Sequence, residues 1–253
     1  MTLRFILLVT SIFLSTYSSV FAQAECDIEG TGAIIGAPVG CYDYFTYAQL
    51  WAAQTPYTSK SSGILTPDPT EQQQRKQGYK VLPQQFAATH LIPHGLWPNF
   101  LHNVVTYPAV CNSSESFVFE DLSAPLRNEL NKLYPQVIYG LDKHEWKKHG
   151  TCTGWTAEKY FSLIVELNQK LGTPQLIAKN IGKTVNYLDL LETYGGDAQH
   201  VYFSCDTEGE KQILTQIFTL WDKELKPLSL NNYHAITPCN SNQPIYIRSA
   251  KLP

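Results

Sequence analysis

Three scarcities narrow what this 253-residue chain can be. After the first two dozen residues no stretch stays apolar over the ~20 residues of a helical bilayer crossing, so a bundle of membrane helices is excluded. None of the six cysteines stands in a C-x-x-C pair, which removes the usual spacing of a structural zinc module. Positive charge is short as well, 19 Lys and Arg against 22 Asp and Glu. Proteins that grip nucleic acid by bulk electrostatics are usually strongly basic. A polynucleotide could be held here only locally, by a few cations and stacking rings. Five Trp, 15 Tyr and 11 Phe provide the rings.

The opening residues read as an export signal. Arg4 is the only charge before Glu25, Phe5 to Leu14 is almost wholly apolar, and Ala22 and Ala24 frame an A-x-A cleavage pattern. The competing reading, an uncleaved anchor, needs about twice that apolar length. The expected division is therefore a signal peptide over 1–24 and one domain over 25–253, secreted or periplasmic, with no membrane span after signal removal. Losing Arg4 leaves 18 basic residues against 22 acidic ones, a net charge of −4. Cys26, Cys41, Cys111, Cys152, Cys205 and Cys239 all follow the signal. An even count in an oxidising compartment argues for disulfides, and spacing alone leaves their pairing open.

No repeat or low-complexity block divides the rest. Tyr42–Trp51 reads as a strand, the polar stretch 55–84 as a long surface loop, and Ala88–Trp97 as a strand entering a turn at Gly95 and Pro98. Ser123 caps a helix that runs through Tyr134 before Pro135. Thr156 caps a stronger one, with Phe161, Ile164, Val165, Leu167 and Leu171 on one face and Gly172 at its end. Shorter helices are expected at Gln175–Ile181 and Tyr187–Tyr194, then strands at Val201–Cys205, Ile213–Leu220 and Ile245–Ile247. Strands, central helices and strands again make an α+β domain.

Reactive side chains concentrate in two segments, His94-Gly95-Leu96-Trp97-Pro98 and His144-Glu145-Trp146-Lys147-Lys148-His149-Gly150-Thr151-Cys152. A helical second segment pairs His144 with Lys148 and Glu145 with His149, each four residues apart, so that one turn offers two imidazoles, an ammonium and a carboxylate toward a single point. An ordinary charged helix surface is the bland alternative. A zinc protease is the sharper one, since His144-Glu145 begins an H-E-x-x-H motif. Lys148 occupies the position of the second ligand, however, and His149 lies about 100° further round. An anionic substrate suits the set better. Attack on a phosphodiester by its own neighbouring hydroxyl needs a base, an acid and positive charge beside the phosphorane. Histidine serves both proton roles near neutral pH, and lysine serves the third.

Together, HGLWP and HEWKKHGTC resemble the two active-site segments of the ribonuclease T2 family, in that order. The likeness extends through Tyr160-Phe161, Gly182-Lys183-Thr184-Val185, Cys205 and Cys239, and its later features are most similar to the bacterial ribonuclease I branch. The resemblance implies a central antiparallel sheet with several helices. It implies His94 as general acid on the leaving 5′ oxygen and His149 as general base on the 2′-hydroxyl. It further implies Glu145 and Lys148 polarising the phosphate, and His144 binding it. Single-stranded RNA is then the substrate, DNA is excluded for want of a 2′-hydroxyl, and no cofactor or metal takes part. Trp97 would stack on a base, although a core tryptophan is an equal reading. Disulfides Cys111–Cys152 and Cys205–Cys239 are implied as well, with Cys26–Cys41 left by default, and the molecule is expected to be a monomer.

Departures from the family pattern qualify this. Pro93 stands before His94 where a β-branched residue is usual, so the strand must end, bulge or lie on an edge there. Asn99 replaces a frequent aspartate, so base preference does not carry over. His90, His102, His200 and His234 match no catalytic position. A non-catalytic RNA-binding or toxin-like relative with the same fold is the competing function.

Overall fold

The computed structural model describes residues 30–51, 89–101, 105–115, 117–133, 140–231 and 237–249, together with 26, 53 and 233. The signal-like segment 1–24, the polar stretch 55–84, Tyr134, His102 and His234 lie outside the described residues. Among the described residues no helix is long and apolar enough to cross a membrane.

The strands are β1 (Ala33–Ile35), β2 (Tyr44–Trp51), β3 (Leu91–Asn99), β4 (Tyr107–Ala109), β5 (Thr184–Val185), β6 (Val201–Glu208), β7 (Lys211–Trp221) and β8 (Ile245–Tyr246). The helices are α1 (Ala124–Leu133), α2 (Leu141–Lys148), α3 (Ala157–Leu171), α4 (Gln175–Lys179) and α5 (Tyr187–Glu192). Six strands join in the order β3-β2-β7-β8-β5, with β6 on the other side of β7. The fold is α+β, as expected. Its main sheet is mixed rather than purely antiparallel: β7 pairs with β8 in parallel, and β1 and β4 form a separate parallel pair. Short strands of two or three residues such as β1, β4 and β5 carry no period that a sequence pattern can register, because non-local pairing makes them.

Alternation along β2 sets the two faces of the sheet. Phe45 and Tyr47 point into the larger core with Phe161, Ile164, Val165 and Leu167 of α3, while Ala48 packs on the opposite face with Phe218, Trp97, Tyr202 and Tyr233. Thr156 caps α3 by accepting from the Lys159 N–H, and Gly172 closes it, both where the sequence places them. Each large apolar side chain buried this way contributes roughly 1.5–3 kcal/mol. A further cluster beneath α4 and α5 joins Ile177, Leu190 and Leu191 to Phe203, Leu214 and Ile245. All three disulfides, Cys26–Cys41, Cys111–Cys152 and Cys205–Cys239, are formed.

Candidate active site

β3 delivers the first histidine by an irregularity. Ala48 pairs with Gly95 and Gln49 with Pro93, which leaves His94 as the extra residue of a bulge. Within its sheet β3 is also the edge strand. Pro93 is thus accommodated by the two settings in which a strand tolerates proline, a bulge and an edge. The expected turn at Gly95 and Pro98 is absent; the strand continues to Asn99. Gly95 answers a different need. A Cβ there would stand 2.1 Å from Glu145 Oε2 and 2.5 Å from Trp97 Nε1, so only glycine lets this backbone approach the carboxylate.

The second segment is helical, as its spacing predicts. Gly140, in the left-handed region, precedes α2, and His149 leaves helical geometry at its end while still donating its N–H to the Glu145 carbonyl. The helix end is sewn to its surroundings. Val110 N–H donates to Lys148 O at 2.9 Å, and Thr151 Oγ1 donates to Lys147 O at 3.0 Å. The Cys111–Cys152 bridge closes the same joint. α2 does not aim its four groups at one point. Glu145 and His149 are buried against the sheet, whereas Lys148 is half-buried and His144 is exposed on the neighbouring flank.

Trp97 is the hub of the buried set. Its indole N–H donates to Glu145 Oε2 at 2.7 Å. His94 meets the indole edge-on at 5.1 Å between centroids, and His149 stacks on it at 5.4 Å and 27°. Glu145 Oε1 lies 3.5 Å from His94 Nε2. Two imidazoles 55 residues apart in the chain therefore share one indole and one carboxyl. Beyond them, the Tyr107 ring lies 5.9 Å from His149, and Lys148 Nζ sits 5.5 Å above that ring.

Burial dominates the protonation of this set. Loss of water holds His94 down at about 4, partly opposed by its hydrogen bond to Gln216 and reinforced by His144 and Lys148. The same cause keeps His149 well below the usual histidine range, with Lys148, His144 and His94 adding to it. Burial pushes Glu145 up to about 8 against the pull of the Trp97 N–H and Lys148. Partial loss of water around its ring, with Lys148 beside it, lowers the more open His144. Burial thus favours two neutral imidazoles and a protonated carboxyl, and an anion beside the cluster would favour a proton on each imidazole while keeping the carboxyl neutral. Among the described residues no group of three or more His, Cys, Asp or Glu is placed to hold a metal ion.

A profile of the ribonuclease T2 family matches residues 42–239. The chain belongs to the ribonuclease T2 family. Its relatives include a ribonuclease of Aeromonas hydrophila, 29% identical over 135 residues, covering 53% of this chain and 49% of that one. Ribonuclease Oy of Magallana gigas is 27% identical over 225 residues, covering 81% and 95%. The chain thus spans about half the length of the first relative and nearly all of the second. In fold it is similar to the self-incompatibility associated SF11-RNase of Nicotiana alata, with a TM-score of 0.59, 16% identity, and coverage of 82% and 99%.

Within this ribonuclease T2 fold, His94, Trp97, Glu145 and His149 come together in one buried cluster, with Lys148 at its margin and His144 outermost. Trp97 is half-buried, tied to Glu145 and stacked on His149, so it is part of the site's framework as well as a ring open to one side. His200 packs edge-on against Trp221, away from the cluster, and His90 bonds to its neighbour Thr89. Two participants escaped the sequence reading. Tyr107 stands four residues before Cys111, within reach of the helix end that Cys152 tethers. Gln216 is an amide inside the apolar run Ile213–Trp221, and its Oε1 lies 2.8 Å from His94 Nδ1. An amide facing inward from a central strand was the available signal.

Proposed function

We propose that this chain is an endoribonuclease acting on single-stranded RNA by transesterification. One observation carries the reading: His94 and His149 flank the same indole, with Glu145 bonded to it and Lys148 one residue away on the same segment. His149 takes the proton of the 2′-hydroxyl, whose oxygen attacks the adjacent phosphorus. The P–O5′ bond breaks, and His94 supplies the proton to the departing 5′ oxygen. The first product is a 2′,3′-cyclic phosphate, and water entering by the reverse proton route gives a 3′-phosphate. Lys148, the carboxyl of Glu145 and the outer His144 hold the non-bridging oxygens as charge builds on them.

The protonation pattern agrees with these roles. A base must be unprotonated, and burial keeps the His149 ring neutral, with Nδ1 lacking a hydrogen-bond partner among the described residues. An acid must carry a proton, and the phosphate it serves would raise the low affinity of His94 for one. We further propose a metal-independent, monomeric enzyme of an exported compartment, where three disulfides are at home.

The test is incubation of the purified protein with single-stranded RNA and with DNA of the same sequence, in EDTA. RNA fragments ending in cyclic phosphate, with DNA untouched, are expected. Binding without cleavage would replace this reading with that of a non-catalytic relative. Arrest by EDTA would remove metal independence.

A further inference from the structure

The acid histidine is held from outside the two motifs. Gln216 sits in the middle of β7, paired with Leu50 of β2 on one side and Ser204 of β6 on the other. Its backbone is therefore pinned by both neighbours, and only its half-buried side chain reaches toward the site. Its Oε1 lies 2.8 Å from Nδ1 of the buried His94, while Nε2 of the same ring turns toward Glu145. Ser204, the residue beside it on β6, is hydrogen-bonded to Thr237.

We propose that Gln216 is a positioning residue for His94: its side-chain carbonyl accepts the Nδ1–H and thereby presents Nε2, in one orientation, to the leaving oxygen. This role rests on the acid function given to His94 above. An amide oxygen can only accept, so the neutral ring is fixed as the Nδ1–H tautomer with the Nε2 lone pair on the side of Glu145. When Nε2 gains its proton, the same carbonyl solvates the imidazolium and offsets part of the desolvation. The charged or titratable groups facing His94 are Glu145 at 3.5 Å, and Lys148, His144 and His149 from the same segment. Three of these disfavour a second positive charge. Gln216 supplies the opposing contribution from β7.

The experiment compares Gln216→Leu and Gln216→Glu with the unmodified protein on a dinucleoside monophosphate, across pH. Gln216→Leu should lower kcat roughly tenfold with KM within about twofold, and move the basic limb of the profile to lower pH. Gln216→Glu keeps the shape and places a carboxylate on Nδ1–H, so the basic limb should move upward by about one pH unit. Superimposable profiles for both variants overturn the role. Should Gln216→Leu fail to fold, the near-isosteric Gln216→Glu decides alone, and an unshifted basic limb overturns it. His94→Ala in the same assay separates the two levels. An inactive His94→Ala beside normal Gln216 variants removes only Gln216's part; a fully active His94→Ala removes the acid role beneath it.

Discussion

The two central histidines occupy differently built seats. His149 rides on local structure: a helix of eight residues, a backbone bond back to Glu145, and a disulfide three residues further on. His94 depends on distant parts, a bulge against β2, a glycine that clears room for Glu145, and an amide from β7 more than a hundred residues away. The helical seat is robust because its supports are near in sequence and partly redundant. The strand seat has one support of each kind, so each can be removed singly and its effect read.

The largest effect separating these seats should come from the rings themselves. His94→Ala and His149→Ala are each expected to reduce RNA cleavage by about 10²–10⁴-fold while circular dichroism stays unchanged. A normal rate in either variant would cancel that residue's assigned part. Next is the tether of the helical seat. Replacing Cys111 and Cys152 together should reduce stability by about 2–4 kcal/mol in urea denaturation, given the 41-residue separation they close. An unchanged midpoint would show that the helix end needs no staple.

Gly95→Ala tests the strand seat with a smaller perturbation. The new methyl meets a buried carboxylate, so a loss of about 1–3 kcal/mol and a fall in kcat are expected, since moving Glu145 displaces the group shared with His94. The last comparison, read in stability and not in turnover, concerns the carboxyl common to both. A group raised from its ordinary 4.5 to about 8 lends stability that is complete below the lower value and is lost as pH climbs to the higher. Glu145→Gln does not titrate, so its Tm relative to wild type should rise between pH 5 and 8, by roughly 2–4 °C for each kcal/mol involved. A constant difference across that range would show that Glu145 is ionised throughout.

Legibility in the sequence followed the same divide. The helical motif, the caps Ser123 and Thr156 and the strands β2, β6 and β7 could be read directly, because periods of 3.6 and 2 and capping chemistry are local properties. β3 was read only in part. Pro93 announced an edge or bulge, and both exist, but Gly95 and Pro98 looked like turn residues although the strand passes through them. Nothing in the neighbouring residues records that Glu145 will press on Gly95, so its function as a clearance was invisible. Gln216 is the same case: its value depends on which residue the β2–β7 pairing brings opposite, and pairing across that distance leaves no local period.

The bulge has a consequence for how this chain tolerates insertion and deletion. Side chains along a strand point to alternate faces, so losing a single residue from the regularly paired stretch Leu96–Asn99 would throw everything on one side of the cut to the other surface. Regular pairing with β2 would require one residue fewer, and the supernumerary one is His94 itself. The straightest version of this strand therefore lacks the histidine to which the acid role is assigned, and the kink and that side chain come as one feature.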